Sequence, residues 1–308
     1  MKIRVPPANL SLLSFLLILL TLARAWGQDM EPRLYSNAPA EMNFFIASYS
    51  YSSGGLSTNP DDVLQNAELT VHSPTFAYSR ILDVWGKSGK FDVILPGAQL
   101  SGSTDVSGMQ ATRNISGLAD PAFRLAVNLI GAPALTLQEF QSYQQDLIIG
   151  VSMFVSVPFG QYDTTRLVNL GTNRWTFRPE IGVSKAIGSL TLELAQNVNF
   201  FTTNRNFFGG NQLDQDPVYS TRANLVYNFG GGVTAVLQAV YFAGGRTTLN
   251  GLRQDDFIQT SRVGGTLSFD VDHYNSVKLF ASRGLTIRTG TDFTTIGAAW
   301  QHRWGAGL

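Results

Sequence analysis

Apolar residues are distributed along this chain in two ways. Residues 10–22 form one continuous, predominantly apolar run, and most of the remaining chain alternates between apolar and polar positions. The alternation is clearest where Leu147, Ile149, Val151, Met153, Val155 and Val157 interleave with Ile148, Gly150, Ser152, Phe154, Ser156 and Pro158. A period of two gives a strand one apolar face and one face of different character. Strand-like segments run over residues 42–53, 67–81, 90–101, 120–130, 146–159, 173–185, 190–201, 218–229, 233–243, 259–270, 275–284 and 293–304. Most reach the ~9–11 residues that a tilted membrane-spanning strand requires. The pattern predicts an all-β fold, a transmembrane antiparallel β-barrel of about twelve strands.

The connections sort into two sets. Residues 54–66, 102–119, 160–172, 202–217 and 244–258 are long, polar and rich in Gly, Asn and Asp. Between them lie short links at 85–89, 186–189, 230–232 and 272–274. Long extracellular loops alternating with short periplasmic turns are the barrel arrangement, and an even strand count puts both termini in the periplasm. A soluble β-sandwich also alternates, but it gives no reason for spanning length or for two sets of connections. The link at 131–145 is long although it falls on the turn side, and residues 135–140 suit a short amphipathic helix there.

The N-terminal run follows Lys2 and Arg4 and precedes Ala23, Arg24 and Ala25, with small residues where a signal peptidase needs them. At this length it is too short to span ~30 Å of hydrocarbon as a helix. Residues 1–27 therefore read as a cleaved signal peptide and 28–308 as the barrel, exported to a bacterial outer membrane. Charged residues make up only 14% of the chain, against roughly 25% in soluble domains. There is no cysteine, which fits an oxidising periplasm and excludes thiol chemistry and lipoprotein anchoring. The formal net charge is zero, which argues against nucleic acid as a partner.

Charge also separates by face. A cation facing mid-bilayer lipid costs about 2–4 kcal/mol, so strand charges belong in the lumen. Parity assigns Lys90, Asp92, Arg124, Arg174, Arg178, Glu180, Glu193, Arg222, Arg262, Lys278 and Arg303 to that face, eight basic and three acidic. They are candidates either for a ladder of Arg–carboxylate pairs that braces the barrel or for a basic constriction favouring anionic solutes. Tyr49, Tyr51, Trp85, Trp175, Tyr227, Tyr241 and Trp304 could form the interfacial girdles. Phe207 and Phe208, beside Gly209 and Gly210 in a long loop, are candidate gate residues.

Candidate chemistry is sparse. His72, His273 and His302 have no metal-ligand spacing, and no phosphate loop or dinucleotide fingerprint is present. His302 is the one conceivable base for a lipid hydrolase. No catalytic residue, metal or cofactor is expected. Asp61, Asp62, Asp255 and Asp256 are loop acids at which bridging cations could bind.

Several loop motifs carry a resemblance. Pro158-Phe159-Gly160-Gln161-Tyr162-Asp163, Asn169-Leu170-Gly171-Thr172-Asn173-Arg174-Trp175 and Pro179-Glu180-Ile181-Gly182 are similar to those of the phenol-degradation meta-pathway (MetA-pathway) outer-membrane family. So are Leu82-Asp83-Val84-Trp85-Gly86-Lys87-Ser88-Gly89-Lys90, Gly117-Leu118-Ala119-Asp120-Pro121 and Gly244-Gly245-Arg246-Thr247-Thr248. The resemblance implies an outer-membrane transporter distantly related to fatty-acid and aromatic-hydrocarbon uptake channels, and it implies no site residues. Those channels carry a large N-terminal hatch, whereas residues 28–39 leave room only for a short plug. The expected function is diffusion of small hydrophobic or aromatic solutes. The expected partners are outer-membrane lipid, lipopolysaccharide and the barrel-assembly machinery. The alternatives are a non-conducting structural or adhesive barrel and, less simply, an outer-membrane lipid hydrolase.

Overall fold

The structure, a computed structural model, describes residues 32–57, 64–106 and 109–308. The expected signal peptide, the expected start of the barrel domain at residue 28 and the acids Asp61 and Asp62 lie outside the described residues. The membrane-spanning wall is built from β1 (Met42–Ser57), β2 (Leu64–Val84), β3 (Lys87–Val106), β5 (Ala122–Ile130) and β6 (Leu147–Ser156). It continues through β7 (Thr176–Ile187), β8 (Leu190–Phe201), β11 (Val218–Gly230), β12 (Val233–Gly244), β15 (Ile258–Asp270) and β16 (Asn275–Gly305). β16 is one continuous ribbon that doubles back. Its first half pairs with β15 up to Thr289 and its second half with β1 from Gly290. The Arg303 amide donates to the Tyr274 carbonyl at 2.8 Å, joining the two halves. The predicted segments 275–284 and 293–304 are those two halves, so twelve antiparallel strands close on themselves. Closure is what hydrocarbon demands, because an open edge would leave backbone groups without partners.

β4 (Met109–Leu118) extends the wall above the membrane by pairing with the outer half of β3, whose inner half pairs with β5. Residues 102–119, which composition predicts to be loop, are strand for most of their length. The loops at 202–217 and 244–258 likewise hold β9 (Asn204–Phe207), β10 (Asn211–Gln215), β13 (Thr247–Leu249) and β14 (Leu252–Arg253), a second, four-stranded sheet. Their polar composition hides short strands that pair with one another outside the membrane. At the other end the turns are tight. Trp85 and Gly86 both take left-handed φ (53° and 77°), the geometry of a two-residue hairpin turn.

Alternation sorts the side chains as expected. Leu125, Ile181, Leu194 and Leu237 stand outward and exposed, whereas Arg124, Glu180, Asn197 and Gln238 are buried. Trp85, Tyr227, Tyr274, Trp300 and Trp304 mark the periplasmic end and Trp175, Tyr219 and Tyr241 the extracellular end. The long periplasmic link contains the expected helix, α1 (Leu137–Phe140), one turn closed by a Thr136–Glu139 capping box. Its neighbours hold the N-terminal segment. The Leu135 carbonyl accepts from the Ala40 amide at 2.8 Å, and the Pro133 carbonyl accepts from Asn37 Nδ2 at 3.1 Å.

That segment is the short plug. Leu34 and Tyr35 are buried with Ala126, Ala132 and Ile148. Gly150 and Gly182, which pair across β6 and β7, form the seat of the Tyr35 ring. A Cβ at either glycine would lie 2.2 Å or 2.1 Å from a ring carbon, so only glycine leaves room. Gly150→Val or Gly182→Val should expel the ring and make residues 32–40 cleavable by protease from the periplasmic side of a folded barrel. Cleavage no faster than in the unaltered protein would contradict this seating.

Above the membrane, Asp256 is buried and accepts from the Thr247 amide at 2.8 Å and the Thr247 hydroxyl at 2.6 Å. Burial pushes its carboxyl above the ordinary 3.8. The folded loop therefore holds this proton more tightly than the unfolded chain. Its contribution to loop stability is fullest below pH 3.8 and falls as pH rises through the folded value. Hydrogen exchange at residues 247–249 should show protection declining over that interval. Asp256→Asn should flatten the profile, and a rising profile would contradict the assignment.

Candidate functional site: a divided lumen

The barrel interior is divided between bulk and space. On β5 to β8 and β11 long polar side chains fill it. Glu180 lies at the centre, buried, with Arg222 at 2.8 Å, Asn197 Nδ2 at 3.0 Å and the Tyr35 hydroxyl at 3.2 Å. Glu193 accepts from Asn224 Nδ2 at 2.7 Å and from the Arg33 amide at 3.0 Å, tying the plug to β8 and β11. Arg178 lies over the Phe154 ring, 4.2 Å from its centroid. Arg124 and Asp92 form a second buried pair at 2.6 Å, and Asp92 also accepts from Ser79. Arg–carboxylate bonds at these distances are charge-assisted and geometrically specific, as a brace requires.

The other side of the lumen is lined by short side chains. Ser48, Ser50 and Ser52 from β1 face Ser73, Thr75 and Ser79 from β2, with Ser282 and Thr295 from β16. Because these residues are small, a cavity of about 230 Å³ remains along this side. It runs from Pro32, Ile46 and Lys278 towards Leu100, Leu170 and Phe293. Its chemistry is mixed: a hydroxyl ladder, apolar carbons, and Asp92, Arg124, Arg262 and Lys278 at the margins. Ser48, Ser50 and Ser52 do not stand out in the sequence because serine is also a loop residue. Their strict alternation with Ala47, Tyr49 and Tyr51 is the signal that could have found them.

The extracellular end is roofed by the loops. Leu100, Leu170, Phe207 and Phe293 belong to one buried apolar cluster there. Asp120, in the break between β4 and β5, positions the roof. It accepts from the Gly160 amide at 2.9 Å, the Thr172 amide at 2.8 Å and the Thr172 hydroxyl at 2.6 Å. The Asn169 side chain, fully enclosed, ties the loop to itself through the Asp163 and Arg166 carbonyls. A Cβ at Gly171 would lie 2.7 Å from the Gly160 carbonyl, so glycine permits the loop to fold this tightly. Burial also raises the pKa of the nearby Tyr162, whose hydroxyl accepts from Asn204 Nδ2.

The structure gathers most of the sequence-assigned residues but not in one place. Asp92, Arg124, Arg178, Glu180, Arg222 and Arg262 are buried inside the barrel. Arg262 donates to the Phe293 carbonyl at 3.1 Å, linking the wall to the roof. Lys90 lies on the inner wall beside Asp92's strand neighbours, half-buried. Lys278 lines the cavity. Arg174 precedes β7 and reaches the loop sheet, bonded to Gln215 at 2.5 Å with its guanidinium over Phe201. Arg303 sits at the periplasmic rim, bonded to the His273 carbonyl at 2.6 Å. Phe207 is enclosed within the roof and Phe208 packs against it. On β16, parity with Lys278 places Arg283 on the outer face, where it is exposed.

Of the histidines, His302 stacks on Trp300 and Trp304 and bonds through Nδ1 to Asn275 at 3.0 Å. His72 bonds to the Tyr49 hydroxyl on the outer face. Among the described residues no cluster of His, Asp or Glu could hold a metal ion.

The same architecture occurs in solved outer-membrane proteins. An outer membrane channel from Pseudomonas putida F1 superposes with a TM-score of 0.78 at 18% identity, covering 89% of this chain and 100% of that one. The transport unit of the autotransporter AIDA-I from Escherichia coli matches at 0.57 and 9% identity, over 97% and 99% of the two chains. The translocator domain of the autotransporter NalP from Neisseria meningitidis matches at 0.53 and 9% identity, over 92% and 96%. These likenesses establish an outer-membrane barrel fold. No curated protein matches the sequence. Residues 26–301 match the family described as "Putative MetA-pathway of phenol degradation", and the chain belongs to that family.

Proposed function

We propose that the protein is an outer-membrane channel through which small amphipathic or aromatic solutes diffuse along the hydroxyl-lined side of the lumen. The observation that carries this reading is the cavity of about 230 Å³ between β1, β2 and β16. A dry cavity of about 150 Å³ suffices for benzene, so a single substituted ring fits. Serine and threonine hydroxyls offer donors and acceptors to a phenolic or carboxylate group, while Ile94, Leu100 and Phe293 meet the ring. The family's description, which names phenol degradation, supports the same class of solute. The likeness to the Pseudomonas putida F1 channel supports conduction over a purely structural or adhesive role.

The same reading makes the charged half a brace that holds the Tyr35 plug and leaves solute preference to the serine side. It assigns no enzymatic role, because the His302 ring nitrogen is bonded to an amide in place of a nucleophilic hydroxyl. Export through a leader at residues 1–27, insertion by the barrel-assembly machinery and contact with lipopolysaccharide belong to it as well. The aromatic terminal strand with Trp300 and Trp304 supports the second of these.

Proteoliposomes containing the protein should admit phenol and benzoate faster than equally sized sugars. Ser50→Phe together with Thr75→Phe, which fills the cavity, should remove most of that difference. No flux of any such solute above empty liposomes would contradict the channel. Arg222→Met, which strands a buried Glu180, should destabilise the barrel by about 3–5 kcal/mol. An unfolding midpoint in denaturant no lower than that of the unaltered protein would contradict the bracing role.

A further inference from the structure

We infer that the outer wall carries a binding site for the phosphorylated glycolipid of the outer leaflet, lipopolysaccharide, centred on Arg283. Three outward-facing rungs cross β8, β11, β12, β15 and β16 in register. The lowest is Leu192, Leu225, Leu237, Gly265 and Ala281. The next is Leu194, Ala223, Ala239, Val263 and Arg283. The third, nearer the extracellular end of every strand, is Gln196, Thr221, Tyr241, Ser261 and Thr286.

The two lower rungs place alanines and glycine beside tall leucines, which leaves a groove of about 770 Å³ in the wall with Arg283 on its margin. Such a groove, facing hydrocarbon, accepts an acyl chain. The third rung is polar where a lipid-facing wall is expected to be apolar. Its hydroxyls and amide are already oriented, Thr221 donating to Gln196 at 2.5 Å and Ser261 bonded to Thr286 at 2.5 Å.

Arg283 stands between these zones. None of the ion pairs seen among the described residues involves it. Among the described side chains, the other outward cations on the spanning strands, Arg80, Lys87 and Lys185, lie near the periplasmic ends of β2, β3 and β7. Arg283 lies eight residues beyond the periplasmic start of β16, which at a strand tilt of about 40° places it roughly 20 Å up the wall, in the outer leaflet. A guanidinium there is favourable when it reaches up to an anion, and its planar fork matches a phosphate. Acyl chain in the groove, phosphate on Arg283 and sugar hydroxyls against Ser261, Thr286 and Tyr241 satisfy all three zones at once. The height of Arg283 selects the outer-leaflet lipid over a glycerophospholipid of the inner leaflet.

Native mass spectrometry of the protein extracted gently from outer membranes tests this. The unaltered protein should retain lipopolysaccharide, and Arg283→Gln should lower the bound fraction at least about fivefold, consistent with loss of a charge-assisted contact. Gly265→Phe should do the same by filling the groove. A Cβ there meets Val236 O at 3.6 Å and Leu237 Cδ2 at 4.0 Å, ordinary contacts that leave the barrel undisturbed. Heat-modifiable electrophoretic mobility reports that each variant is folded, and Arg283→Lys should retain part of the binding. Equal retention by the unaltered protein and Arg283→Gln would overturn the site. So would retention of glycerophospholipid in place of lipopolysaccharide, or equal affinity for lipid A with and without its phosphates.

Discussion

The filled side of this barrel is arranged around the buried carboxylate of Glu180. A carboxylate enclosed by a protein wall is tolerated only when its oxygens are bonded, and here Arg222, Asn197 and Tyr35 supply the bonds. Those three come from β11, β8 and the N-terminal segment, so one charge fixes two strands and the plug together. The ring of Tyr35 then requires glycine at 150 and 182, and the segment that carries it requires the long periplasmic link to hold its other end. With one side of the lumen filled in this way, free volume is left only where side chains are short.

Division of the lumen reconciles two demands on a small membrane barrel. Twelve strands enclose too much space to be filled by side chains and too little for a wide aqueous pore. Filling one side with charge-assisted contacts keeps the wall from collapsing. Lining the other with serine and threonine keeps a narrow path of mixed polarity. The loop roof, pinned by Asp120 and the Arg262–Phe293 contact, lies across the outer end of that path. On the proposed route, a solute meets Leu170 and Phe293 at the outer end of the cavity.

Much of this is legible in the sequence, because hydrocarbon imposes a period of two on every spanning strand. The alternation in β6 and the two sets of connections set strand number, direction and facing, and the amphipathic stretch at 135–140 marks the helical turn in the periplasmic link. Less is legible where water replaces lipid. Residues 102–119 and the loops holding β9, β10, β13 and β14 pair outside the membrane, where no apolar face marks a strand. Parity puts Arg174 on the inner face, yet its position two residues before β7 sends it to the loop sheet. Ser50 and Ser73 carry no signal beyond their alternation, because serine is equally a loop residue and much of their effect is the volume they leave open. Arg283 is outward by parity alone, but a single outward charge acquires meaning only once the strand register sets it between an apolar groove and a polar rung.

The path itself can be tested directly because the chain contains no cysteine. Solute flux into proteoliposomes should be measured with Ser50→Cys and, on the outer wall, Leu125→Cys, each before and after reaction with a bulky maleimide. Labelling at position 50 should reduce phenol flux to that of empty liposomes, and labelling at position 125 should leave it unchanged. Undiminished flux through the labelled Ser50→Cys protein would contradict passage along the serine side of the lumen.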